Sequence, residues 1–117
     1  MKRFFKGFSY AWNGLRSAFS EQRNLKIHVV TAVVVVAAGF YFNLTRGEWV
    51  AIVMVIGFVF VAELFNTAIE YMVNIVSPQH QPSAGKIKDI AAGAVLVAAC
   101  TAVIVGVIIF RKYIPNA

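Results

Sequence analysis

The sequence predicts an all-α membrane protein: an N-terminal amphipathic surface helix followed by three transmembrane helices. Three observations carry this prediction. Three apolar runs, each near the length of a bilayer span, occupy most of the chain. The 117 residues are 60% hydrophobic and only 14% charged, with a mean hydropathy of +0.74. A soluble domain is nearer half apolar and a quarter charged. The basic residues flank the apolar runs instead of interrupting them.

Each element follows from its pattern. Over residues 1–26, Phe4, Phe5, Phe8, Trp12, Leu15 and Phe19 recur at helical spacing, with Lys6, Ser9, Asn13, Arg16 and Ser20 between them. Such a helix lies in the membrane surface; the blander alternative is a bundle helix covering the others. The spans are 27–44, 49–76 and 90–110. Against the roughly 20 residues a span needs, the first is slightly short, the second long and the third well matched. Inside lipid the backbone must bond to itself, so all three are helices despite many β-branched residues. The length allows a single domain over 1–117.

Charge gives an orientation. Lys2, Arg3, Lys6, Arg16, Arg23, Lys26, Lys86 and Lys88 fall on one side of the spans; Arg46, Arg111 and Lys112 fall on the other. The positive-inside rule therefore puts the N-terminus and the loop 77–88 in the cytoplasm, with Asn43–Glu48 as an external turn and the C-terminus external. The net charge of +6 suits anionic headgroups or a phosphate-bearing substrate. Nucleic acid is disfavoured, because no dense basic patch forms. No cleavable signal peptide is expected from a basic, aromatic start. The lone Cys100 has no partner for an internal disulfide and reads as a small buried hydrophobe.

The informative stretch is VAELFNTAIEYMVNIV, Val61 to Val76. Glu63, Asn66 and Glu70 sit at offsets of three, four and seven, so they share one helix face, and the two carboxylates lie about 10 Å apart along the axis. A carboxylate in hydrocarbon costs several kcal/mol unless paired, hydrated or protonated. Asn66 alone fits helix–helix adhesion, and Glu70 alone could reach the headgroups. Glu63, surrounded by apolar residues, fits neither. A proton path would use such carboxylates as relays. An enzyme would use one as a base and another as a metal ligand. The nearby KIKD, Lys86 to Asp89, favours the enzyme: lysines and an aspartate suit a nucleotide polyphosphate and its metal. Simple anchoring accounts for the lysines alone. SAGK, Ser83 to Lys86, resembles a P-loop ending, but His80 and Ile87 stand where Gly and Ser or Thr are required. His28 and His80 lack metal-ligand spacing and are read as non-ligands.

AELFNTAIE (Ala62–Glu70) and KDIAAGAV (Lys88–Val95) resemble the two signatures of the prokaryotic integral-membrane lipid kinases, the diacylglycerol kinase and undecaprenol kinase family. YAWNGLRSAF (Tyr10–Phe19) and RNLKIH (Arg23–His28) extend the resemblance over nearly the whole chain. The resemblance implies an ATP- and Mg²⁺-dependent enzyme phosphorylating a membrane lipid at the inner face of a bacterial membrane. By position it implies Glu63 as the base on the lipid hydroxyl, Asn66 as a positioning group and Glu70 as a metal carboxylate. It likewise implies Lys88 at the terminal phosphates, with Asp89 and Tyr10 on the nucleotide side. It further implies a homotrimer with shared sites. An oligomer also follows from three thin spans having to enclose both ATP and a headgroup, and Ala91, Ala92, Gly93, Ala94, Ala98 and Ala99 give the last span small packing faces.

Two departures from the family pattern concern the metal. The family usually has Glu where this chain has Gln22, with Glu21 just before it, and Asn74 stands where some members have Asp. Gln22 offers a carbonyl oxygen but no charge, and on a continuous helix Glu21 points about 100° away. The rival function from another class is a small oligomeric channel or proton conductor; a third is a purely structural subunit. Binding of MgATP separates the enzyme from both. The acceptor, diacylglycerol or undecaprenol, is not distinguished by the spans.

Overall fold

The structure, a computed structural model, describes residues 1–79 and 81–115. Among these the chain is entirely helical: α1 (Lys2–Glu21), α2 (Arg23–Phe42), α3 (Arg46–Val76), α4 (Pro82–Phe110) and a short 3-10 turn (Arg111–Tyr113). Three helices, α2, α3 and α4 with its 3-10 extension, are long and apolar enough to cross a membrane. Their exposed surface is dominated by Val, Ile, Phe and Leu side chains. Such a surface suits lipid and is disfavoured in water. This is a multi-pass membrane protein.

The helix ends follow local chemistry. Gln22 is extended (φ −102, ψ 119), closing α1 and opening α2. Residues 23–26 therefore belong to α2 and not to the surface helix. Asn43 adopts the left-handed conformation (φ 55, ψ 60), which Asn tolerates better than most residues. The Leu44 amide donates to the Gly39 carbonyl at 3.2 Å and the Asn43 amide to the Phe40 carbonyl at 3.4 Å, a Schellman closure of α2. Thr45 and Glu48 then form a reciprocal capping box at the start of α3, with bonds of 3.3 and 2.9 Å. Pro78 disfavours helical geometry at Ser77, and α3 stops at Val76. Pro82 occupies the first position of α4, where its missing N–H costs nothing. The sequence reading placed 77–88 in a loop. The structure corrects this: between Pro82 and Lys88 the one glycine, Gly85, weakens the helix by only about 1 kcal/mol, and helix runs on through it.

Packing is densest between α3 and α4; α2 lies more loosely against α3. Ala91 and Ala98, two turns apart on α4, are buried and let α3 approach, whereas Ala92 and Ala94 face outward. At the end away from α1, Leu44, Ile52 and Ile109 form the apolar core, with Val35, Trp49, Val105 and Phe110 packed on it. Glu48 fastens this end: its carboxylate accepts from the Tyr113 hydroxyl and lies 2.7 Å from Lys112 Nζ. Phe42 stacks near Tyr113 and Phe110, with centroids 5.6 and 6.1 Å away. Aromatic rings so clustered at a span's end suit the membrane–water boundary. Cys100 is exposed on the chain's surface, which corrects its reading as a buried hydrophobe. In a bilayer an apolar side chain gains nothing from burial in protein, so apolar sequence does not report burial.

The α2–α3 hairpin leaves no room at Gly39: a Cβ there would lie 2.6 Å from the Trp49 ring, itself packed 4.8 Å from Phe40. Gly39→Ala is expected to lower stability in detergent by about 1–3 kcal/mol. Trp49→Leu on that background is expected to recover part of the loss. A double-mutant cycle on thermal midpoints checks this, and additivity of the two changes would show that this contact is not the cause.

Candidate active site

The polar residues of α3 recur as one stripe, Glu63, Asn66, Thr67, Glu70 and Asn74, continuing the stripe of Ile52 and Val59 that faces the bundle. Counting from Trp49 at the aromatic end, Glu63 lies ~21 Å along the axis and Glu70 ~31 Å, against a hydrocarbon thickness of ~30 Å. The stripe thus starts inside the apolar layer and ends at its edge.

Glu63, Asn66 and Thr67 are buried; Glu63 retains 2% of its surface. Glu63 Oε2, Asn66 Oδ1 and Thr67 Oγ1 all lack a hydrogen-bond partner among the described residues. The nearest charge-capable group to Glu63 is His28, whose Nε2 stands 3.6 Å from Glu63 Oε2, beyond hydrogen-bond reach. The His28 ring sits edge-on to Phe60, with centroids 6.3 Å apart, and Phe60 in turn meets Phe19 of α1. Sequence reasoning set His28 aside, since only the packing of α2 on α3 brings it to Glu63. It also passed over Thr67, whose place one residue from Asn66 and four from Glu63 was a usable signal.

Nearer the membrane edge, two further contacts form. Lys88, half-buried on α4, donates from Nζ to Asn74 Oδ1 at 2.6 Å. Because Asn74 is neutral, this bond orients the ammonium group without cancelling its charge. The Tyr71 hydroxyl donates to the Glu21 carboxylate, which also accepts from Ser17 Oγ at 3.3 Å. Gln22 and Glu70 flank the same hydroxyl. The break at Gln22 removes the continuous-helix constraint expected from sequence: Glu21, the last residue of α1, reaches α3 directly. Tyr71 carried no recognisable signal in the sequence.

Glu70, Glu21 and Gln22 offer oxygen donors only. No group of three or more His, Cys, Asp or Glu able to hold a metal occurs among the described residues. Two carboxylates fit Mg²⁺, which commonly takes one or two from protein and completes its shell with water and phosphate. Tyr10 is 70% exposed on α1 and Asp89 is exposed on α4, and no hydrogen bond joins either to the other site residues among those described. His80 lies outside the described residues.

An apolar groove of about 910 Å³ runs along α2, α3 and α4. Its α1-proximal end is lined by Ile27, His28 and Phe60, and its far end by Phe110, Arg111 and Ile114. Glu63 therefore stands just behind a His28 that borders the groove. The arrangement can accept a proton at Glu63 from a group entering at that end.

The sequence profile described as "Prokaryotic diacylglycerol kinase" matches residues 9–110. The undecaprenol kinase of Bacillus subtilis is 41% identical over 110 residues, covering 94% of this chain and 89% of the relative. The diacylglycerol kinase of Synechocystis is 43% identical over 100 residues, covering 85% of this chain and 57% of the relative. The diacylglycerol kinase of Escherichia coli K12 is 28% identical over 102 residues, covering 87% and 84%.

A buried carboxylate without a partner is costly, by about 1–3 kcal/mol or more for a charged group. Glu63→Gln is accordingly expected to leave thermal stability in detergent unchanged or to raise it. A marked fall in the midpoint would show that the carboxylate holds the fold and is not kept for chemistry.

Proposed function

The chain belongs to the prokaryotic diacylglycerol kinase family, and from that premise we propose that it transfers the γ-phosphate of ATP to the primary hydroxyl of a membrane lipid, diacylglycerol or undecaprenol. The observation that carries the reading is the α3 stripe. A buried, unpartnered Glu63 ends within reach of the bilayer interior, while Glu70 and Lys88 sit toward the edge where a soluble nucleotide arrives. A channel has no need of that division.

In this reading the lipid tail lies in the apolar groove and its hydroxyl reaches Glu63, which takes the proton as general base. Asn66 orients the reacting groups. Lys88, aimed by Asn74, faces the terminal phosphates and offsets their developing charge. Asp89 and Tyr10 serve the nucleotide side; both are exposed in the single chain, which fits completion of the site by neighbouring copies in a homotrimer. Glu70 and Glu21, with the Gln22 side-chain carbonyl, are the residues that would hold Mg²⁺. When bound, the ion neutralises polyphosphate charge. Phosphoryl transfer asks mainly for such positioning and neutralisation. The positive-inside count supports a cytoplasmic position for this end, and membership of a prokaryotic family supports the bacterial inner membrane. α1 exposes Phe4, Phe5, Phe8 and Trp12, which supports its lying on the membrane surface.

Labelled MgATP offered with diacylglycerol and with undecaprenol in mixed micelles tests the reading. Transfer to one lipid, reduced at least about 100-fold by Glu63→Gln, is expected and names the acceptor. Absence of transfer to both, with no MgATP binding, would return the protein to the channel or structural class. For the metal, Glu21→Gln is expected to raise the Mg²⁺ concentration for half-maximal rate about tenfold or more, and Gln22→Glu to lower it. Equal Mg²⁺ dependence in all three proteins would remove Glu21 from the metal site.

A further inference from the structure

We infer that His28 is a positioning and proton-accepting residue behind Glu63, the group through which the proton taken from the lipid hydroxyl leaves the buried site; this rests on the kinase reading above. A base that is 2% exposed cannot hand its proton to bulk water, yet it must lose it before the next turnover. His28 Nε2 is 3.6 Å from Glu63 Oε2, and the imidazole side chain keeps 22% of its surface exposed. It also lies only five residues, about 8 Å, from the start of α2 at the end that the proposed orientation puts in the cytoplasm, so it stands between the buried carboxylate and that membrane edge. Histidine is also the side chain whose ordinary titration range suits accepting and releasing a proton near neutrality. The edge contact with Phe60 limits how far the ring can swing, so the 3.6 Å gap closes by a small movement of the Glu63 carboxylate.

The surroundings leave few alternatives. From α3, Glu63 is the ionisable group that meets His28. From α4 the groove presents Ala99, Ala102 and Val103, and from α1 Phe19 reaches Phe60. On α2 itself Arg23 and Lys26 precede His28; both are cations and neither takes up a proton.

The step balances as follows. The lipid O–H bond breaks and its proton goes to Glu63 Oε2. The lipid oxygen forms a bond to the γ-phosphorus as the bond from that phosphorus to the β–γ bridging oxygen breaks, and its electron pair leaves on ADP. The proton then passes from Glu63 to the unprotonated Nε2 of His28, whose Nδ1 carries the ring's other proton. The imidazolium releases a proton to water, and Glu63 is again a carboxylate.

The test measures kcat and KM for lipid and for MgATP in the wild type, His28→Gln, His28→Ala and Glu63→Gln. Gln keeps a donor near Nε2 but cannot accept a proton. His28→Gln is expected to lose about tenfold to a hundredfold in kcat, with both KM values little changed. Added imidazole is expected to restore kcat to His28→Ala and not to Glu63→Gln. A His28→Gln enzyme with wild-type kcat would overturn the relay while leaving the kinase reading intact, as would His28→Ala insensitive to imidazole. A wild type that transfers no phosphate to either lipid would overturn both. If His28→Gln does not fold, the imidazole response of His28→Ala decides.

Discussion

The Glu63 carboxylate lies in the packed seam of the bundle, on the face of α3 that meets His28 of α2, with one oxygen lacking a hydrogen-bond partner among the described residues. Transfer of an ion to such a place costs several kcal/mol even after relaxation. Asn66 Oδ1 and Thr67 Oγ1, one turn on, likewise lack a partner among the described residues. The seam would be more stable with Leu or Met in all three positions. What the arrangement offers instead is a set of polar atoms open to a partner, such as a hydroxyl entering from the bilayer side.

Holding that seam closed falls to its two ends. Away from α1, Glu48 caps α3 and bonds Tyr113 and Lys112 beyond α4, so one carboxylate ties the start of one helix to the end of the other. At the opposite end Lys88 reaches back from α4 to Asn74 on α3. Between them Ala91 and Ala98 keep the helices near. In lipid, apolar contact alone does not drive helices together, so close approach and polar ties carry the association. The tie at the Glu63 end differs from the other in being a charge bonded to a neutral amide. It leaves a cation there unneutralised, and a phosphate is the kind of group that would take advantage of it.

Much of this was legible in the sequence, for physical reasons that mark out what was not. The spans were legible because bilayer thickness fixes their length, and the Glu63–Asn66–Glu70 face because helical period is local. His28 was not legible, since its role depends on how α2 crosses α3 and no spacing encodes that. The start of α4 was misread because Pro, Ser and Gly together signal a loop, yet Pro at a first helical position favours the helix. Cys100 was misread by applying the burial logic of water-soluble proteins to a residue that faces lipid. Tyr10 and Asp89 are exposed and make no hydrogen bond to the other candidate residues among those described, so the fold adds nothing to the expectation that the sequence raised for them.

The break at Gln22 bears on why the metal side departs from its expected form. Glu21 ends α1, and an acidic residue at a helix C-terminus opposes the helix dipole by about 0.3–1 kcal/mol; the last turn holds no basic residue to offset it. The Tyr71 hydroxyl then ties this carboxylate to α3, one residue beyond Glu70 in sequence. Against the dipole penalty stand two hydroxyl bonds, from Tyr71 and Ser17. In the kinase reading proposed above, a cation held by Glu21 and Glu70 would offset that penalty. In that reading the carboxylate stands at position 21 instead of 22, at the very end of α1, and the extended backbone at Gln22 frees the next residue from the α1 helix.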